Sequence, residues 1–112
     1  MKKELVIIGG GPAGLAAAIA ATKEGVKDLV VIERDSRLGG ILNQCIHNGF
    51  GLHTFNEELT GPEYADKFIK MAEERGLNAL LNTIVIDISK DKVITAMSAE
   101  RGLFTIEAES IV

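Results

Sequence analysis

The chain has 112 residues, 46% of them hydrophobic and 25% charged, with a formal net charge of −4. That length suits one domain with a real core, burying roughly 65% of the surface that the unfolded chain exposes, and the acidic balance gives no electrostatic footprint for nucleic acid. A single cysteine excludes an internal disulfide and fits a reducing, cytoplasmic setting.

The N-terminus superficially copies a secretory signal, with Lys2 and Lys3 ahead of an uncharged run from Leu5 to Ala21. Glu4 beside that run, and Gly9, Gly10, Gly11 and Pro12 within it, break the continuous apolar helix a signal needs. The run is also shorter than the roughly 20 residues that span a bilayer. No membrane span is expected.

Glu4 to Ile8 is a short β-branched run ending at glycine, and it reads as a buried strand. Pro12 suits a first helical turn, Ala13 to Lys23 is rich in helix formers, and Gly25 is placed to stop the helix. Leu29 to Glu33 is a second apolar strand, so the opening third forms a βαβ unit with a parallel strand pair. A long polar, glycine-rich connection follows from Arg34 to Leu59, of a length usually kept for function. The next helix opens with Thr60 and Glu63 at capping-box spacing, places Tyr64, Phe68, Met71 and Ala72 on one face, and ends at Gly76. Three strand-like runs close the chain, Ala79 to Ser89, Val93 to Ala99 and Leu103 to Val112, separated by turn signals at Lys90-Asp91 and Arg101-Gly102. They predict one more parallel strand running into a small antiparallel meander. The fold class is therefore α/β: a Rossmann-like parallel βαβ sheet with a C-terminal antiparallel β-meander, residues 1–112 forming a single domain.

Gly9, Gly11 and Gly14 satisfy G-x-G-x-x-G between the first strand and the first helix. Each glycine has a steric task there: a tight turn, close approach of backbone to a pyrophosphate, and close packing of helix on sheet. The first-turn N–H groups around Pro12 and Ala13, with the positive end of the helix dipole, favour a phosphate. Glu33 lies nineteen residues past Gly14 at the end of the second strand, where a carboxylate accepts the hydroxyls of an adenosine ribose and repels a 2′-phosphate. NADP is disfavoured, while these residues leave both FAD and NAD open.

The segment IERDSRLGGILNQC, Ile32 to Cys45, resembles the second-strand exit of the two-dinucleotide-domain flavoproteins, the large family related to pyridine nucleotide-disulfide oxidoreductases. The resemblance runs over essentially the whole chain and implies FAD. It matches Gly39 and Gly40 to the glycine pair that passes close to pyrophosphate and flavin, and Thr83-Ile84-Val85 to the backbone that meets the adenine edge, with Val85 as its contact. Arg34 and Arg37 could approach the cofactor phosphates, but arginines near a strand exit are more often simply solvated.

One departure limits the chemistry. The positions matching the redox cysteine pair of the disulfide-reductase branch hold Leu42 and His47, and Cys45 between them has no partner. A dithiol relay is therefore not expected. Cys45 and His47 could form a nucleophilic pair only in contact, and a small packed residue beside a loop histidine is the plainer reading. The Asn43, Gln44 and Asn48 amides and His53 are candidates to line a flavin-facing pocket or a solvated loop. The spacing of the histidines and cysteine matches no metal site, and no P-loop or nucleophile elbow is present.

The resemblance further implies an incomplete FAD-binding domain, roughly a quarter to a third of a two-domain protein. The nicotinamide domain and a C-terminal FAD segment would lie elsewhere, because no second glycine fingerprint occurs here. The expected function is the FAD-binding portion of an NAD(P)H-linked flavin oxidoreductase, with NAD(P)H bound only by the full-length protein and this portion inactive alone. A finer likeness is to flavoprotein partners of dehydrogenase complexes oxidising glycerol phosphate or amines. Its expected partners are a small-molecule dinucleotide, the remainder of the flavoprotein or a partner subunit, and a second copy in a homo-oligomer. The alternatives are a non-catalytic nucleotide-binding module and the NAD-binding domain of a dehydrogenase.

Overall fold

The computed structural model describes residues 1–40, 43 and 59–112. Strand β1 (Lys2–Ile8) leads through the glycine loop into helix α1 (Pro12–Lys23) and then strand β2 (Leu29–Ile32). Beyond the connection come helix α2 (Gly61–Glu74) and strands β3 (Asn78–Leu80), β4 (Thr83–Ile88), β5 (Val93–Ser98) and β6 (Gly102–Ile111). The hydrogen-bonded order of these strands is β3-β2-β1-β6-β5-β4.

Local chemistry accounts for the helix limits. Pro12 at the start of α1 lacks an N–H that would have no helical partner there, and Gly25 with φ +96° turns the chain out of the helix. At α2 the capping box is complete: the Thr60 hydroxyl accepts the Glu63 N–H and the Glu63 carboxylate accepts the Thr60 N–H at 2.9 Å. The buried face of α2 centres on Ala65 and Ala72, with Phe68, Ile69 and Met71 half-buried against Leu15 and Ile19 of α1. Tyr64 meets Phe68 edge to face at 5.1 Å between ring centroids.

The β1–β2 pair is parallel, with Leu5 opposite Leu29 and Ile8 opposite Ile32, as the βαβ reading requires. Alternate residues of these strands feed two different apolar layers. Leu5, Ile7, Leu29 and Val31 face Ala18 on α1; Val6, Val30 and Ile32 face Ile94 and Ile106 of the meander. Strands buried on both faces read as continuous apolar runs, which is why β2 is simply LVVI. Ile94 and Ile106 are completely buried, and covering an aliphatic side chain contributes about 1.5–3 kcal/mol each. The meander thus does for one face what the helices do for the other.

Two features differ from the sequence expectation. The predicted strand Ala79 to Ser89 is two strands: β3 runs parallel to β2, then the chain turns a corner at Leu81 and Asn82 before β4 pairs antiparallel with β5. Asn82 takes φ +51° at that corner, and the buried Thr83 hydroxyl donates to Leu81 O across it. The last strand is also more than a meander arm. Its first half pairs antiparallel with β5, while its second half pairs parallel with β1, Leu5 lying opposite Ser110. Strand pattern alone specifies neither the corner nor the second partner.

Candidate functional site

In the sheet β1 lies between β2 and β6, and the glycine loop leaves its carboxyl end. Gly9 is anchored there by its N–H to Ile32 O at 2.8 Å and takes φ +102°. The three motif glycines are needed for different reasons. A Cβ on Gly14 would sit 1.9 Å from Gly9 O, so only glycine lets α1 approach the strand exit this closely. A Cβ on Gly11 would meet nothing within 4 Å. The space beside Gly11 is open, and a pyrophosphate fits the cradle that a side chain there would fill.

The helix start supports the same reading. Gly11 caps α1 without a side-chain hydrogen bond, and no acidic residue stands in the first turn. Among the described residues, the N–H groups of Gly11, Ala13 and Gly14 meet no acceptor, and Pro12 contributes none. Such an uncapped N-terminus favours an anion.

Glu33 is 6% exposed and is fixed by two backbone donors. Its Oε1 accepts the Gly10 N–H at 2.9 Å and its Oε2 accepts the Asp35 N–H at 2.8 Å. A carboxylate oxygen can accept a second donor, so each oxygen keeps acceptor capacity beside these bonds. Gly10 was not singled out by the motif, yet a Cβ on it would lie 2.4 Å from Leu38 Cδ2 and 3.2 Å from Glu33 Oε1. The sequence signal that could have found it is the unbroken Gly9-Gly10-Gly11 run, of which Gly10 is the middle glycine.

The glycine pair closes the other side of the loop. Gly39, with φ +116°, donates its N–H to Gly10 O at 2.8 Å, and Gly40, with φ +57°, lies against Gly11 so closely that a Cβ would be 3.1 Å from Gly11 Cα. The Asn43 amide turns back to donate to Leu38 O at 3.0 Å. It also lines a 310 Å³ cleft with Asp35, Ser36, Arg37 and Gly40.

A cleft of 320 Å³ joins the remaining predicted residues: Gly9, Glu33, Arg34 and Val85 line it with Ile8, Ile32, Thr83 and Ile84. Arg34 is exposed at its rim. Thr83 donates its N–H to Glu33 O at 3.0 Å, away from β5. Backbone groups alternate in direction along a strand, so Val85, two residues on, turns its N–H and C=O toward the same open side. A donor and an acceptor then face the same side at the edge of β4, in the cleft that Glu33 also lines. A larger cavity of 410 Å³ lies at the opposite end of the strands, where Lys3 pairs with Asp28 at 3.0 Å and Lys2 with Glu107 at 3.9 Å.

Cys45, His47, His53, Leu42, Gln44 and Asn48 lie outside the described residues. Among the described residues no cluster of His, Cys, Asp or Glu could hold a metal ion, and no helix is long and apolar enough to cross a membrane.

Comparison with known proteins agrees with this geometry. The model of the FAD dependent oxidoreductase family matches residues 4–61, more than half of the chain. The chain is 29% identical over 113 residues to hydrogen cyanide synthase subunit HcnB of Pseudomonas protegens, covering 96% of this chain and 23% of that protein. It is 36% identical over 91 residues to thioredoxin reductase of Ureaplasma parvum, covering 80% and 26%. Among solved structures, the bacillithiol disulfide reductase from Bacillus cereus superposes with a TM-score of 0.82 at 20% identity, over 99% of this chain and 39% of that one. The chain spans about a quarter of the length of these curated relatives. It belongs to the FAD-dependent oxidoreductase family.

Proposed function

We propose that the chain is the FAD-binding portion of an NAD(P)H-linked flavin oxidoreductase and that it holds the ADP half of the cofactor. The observation that carries this reading is the meeting of the glycine loop, the buried Glu33 carboxylate and the open edge of β4 around one cleft. Gly9, Gly11, Pro12, Ala13 and Gly14 form the pyrophosphate cradle, closed from the other side by Gly39 and Gly40. Glu33 accepts the ribose hydroxyls, Val85 offers backbone N–H and C=O to the adenine edge, and Arg34 at the rim adds positive charge.

When bound, FAD supplies hydride and electron transfer, chemistry that no side chain provides. The residues of this chain bind and orient. Orphan amides at the start of α1 neutralise phosphate charge, the carboxylate fixes the ribose, and the strand edge fixes the base. In the full-length protein electrons would pass between a nicotinamide, the flavin and an acceptor or partner dehydrogenase, without a dithiol relay. The name of the HcnB relative describes a subunit of a larger enzyme, which favours a partner subunit for this protein too. A homo-oligomer and a cytoplasmic setting complete the reading.

The test is a visible absorption spectrum of the purified protein, with the extracted cofactor identified by mass. A flavin spectrum and the mass of FAD support the proposal. A colourless protein that binds NAD would replace it with the dehydrogenase reading.

A further inference from the structure

We infer that Glu33 is also a positioning residue of the phosphate loop, fixing the Gly9–Gly10 peptide so that, together with the Gly39 bond to the Gly10 C=O, the Gly11 amide is set before any ligand arrives. This inference rests on the reading of the cleft as the site of an ADP moiety.

The peptide groups flanking Gly10 are held on one side by Glu33, just past β2, and on the other by Gly39. The Gly10 N–H goes to Glu33 Oε1 at 2.9 Å, and the Gly10 C=O receives the Gly39 N–H at 2.8 Å. The carboxylate is itself held in place by the Asp35 N–H on Oε2 at 2.8 Å. No peptide bond in the described chain is cis, so the Gly11 N–H, which shares a plane with the Gly10 C=O, points the opposite way, away from Gly39. It is therefore turned toward the open side of the loop, where no described residue accepts it.

Packing leaves this arrangement little freedom. Gly10 is buried between Leu38 and the Glu33 side chain, and Gly40 closes on Gly11. A glutamine at position 33 has one acceptor and one donor at its tip. It satisfies one of the two N–H groups and opposes the other, although its shape is nearly that of glutamate. A residue that served only as ribose acceptor would need neither backbone bond.

Amide hydrogen exchange on the ligand-free protein, resolved by residue in NMR spectra, tests this directly. In the wild type, the Gly10 and Gly39 amides should exchange at least ~10-fold more slowly than the Gly11 amide. Equal rates at the three would overturn the inference without any variant. In Glu33→Gln, exchange at Gly39 and at whichever of Gly10 and Asp35 the amide N–H opposes should rise at least ~10-fold while the Ile19 amide keeps its wild-type rate; unchanged exchange at all three of Gly10, Asp35 and Gly39 would also overturn it. The second arm measures binding of ADP and of 2′,3′-dideoxy-ADP, which offers the carboxylate no hydroxyl. Glu33→Gln should weaken the dideoxy compound at least ~5-fold, because the loop itself is disturbed. An unaffected dideoxy compound beside weakened ADP would reduce Glu33 to a ribose acceptor. Failure of the wild type to bind either nucleotide would remove the reading of the cleft, while the exchange rates still decide whether Glu33 positions the loop.

Discussion

The Glu33 carboxylate accepts the Gly10 amide at 2.9 Å across 23 residues of sequence. That bond joins the phosphate loop to the exit of the second strand, so the two parts of the proposed site are one structural unit. The contact also explains why an acidic side chain is buried at a strand end with no ion pair among the described residues: two backbone donors satisfy it.

The motif glycines should separate by experiment into structural and ligand-facing positions. Gly14→Ala places a methyl group against Gly9 O and should destabilise the fold by about 2–4 kcal/mol. Gly11→Ala meets open space, should change stability by less than about 1 kcal/mol, and should weaken ADP binding at least ~10-fold by occupying the cradle. Chemical denaturation and calorimetric titration of both variants check this. Equal loss of stability would contradict the assignment.

Glu33 should set the preference at the ribose. Wild-type protein should bind ADP at least ~10-fold more tightly than its 2′-phosphorylated form, because a phosphate placed against the carboxylate is repelled. Glu33→Ala should narrow that ratio even as it weakens ADP. An unchanged ratio in the variant would show that the ribose lies elsewhere.

The open edge of β4 should distinguish purines. Val85 offers a backbone donor and acceptor, matching adenine N1 and its 6-amino group, whereas guanine carries the reverse polarity at those atoms. GDP should therefore bind at least ~10-fold more weakly than ADP. Comparable affinities would remove Val85 from the base contact.

The capping box gives a pH signature. The Thr60 backbone N–H, then the Thr60 hydroxyl, hold the Glu63 carboxyl below its ordinary 4.5. A depressed folded-state value means that the stabilisation is full above 4.5 and is lost as pH falls through the lowered value. The stability difference between wild type and Glu63→Gln should therefore be largest near neutrality and shrink below pH 4.5. Thr60→Ala should destabilise the protein by roughly 1 kcal/mol. Thermal unfolding across pH 3–7 measures both, and a difference that grows on acidification would contradict the assignment.

Much of the fold is readable from short-range chemistry. The β1-loop-α1-β2 unit follows from an apolar run, glycines at fixed offsets and a second apolar run, and Thr60 with Glu63 marks the start of α2. The corner at Leu81-Asn82 escapes the pattern because a single asparagine inside an apolar run is a weak turn signal, and it is the tertiary bond from Thr83 N–H to Glu33 O that accompanies the break there. The double pairing of β6 is likewise set by Ile94 and Ile106 finding Val6, Val30 and Ile32, a non-local contact that periodicity does not encode. In the site, the residues proposed to meet a ligand are legible, while those that hold them, such as Gly10 and Leu38, emerge only from packing.

Titration of the protein with FAD, followed by flavin fluorescence after removal of any resident flavin, tests the central claim most directly when ADP and FMN are added as competitors. The account predicts that ADP displaces FAD, while FMN, which lacks the ADP half, binds at least ~10-fold more weakly. FMN binding as tightly as FAD with ADP having no effect, or NAD binding without FAD, would contradict it.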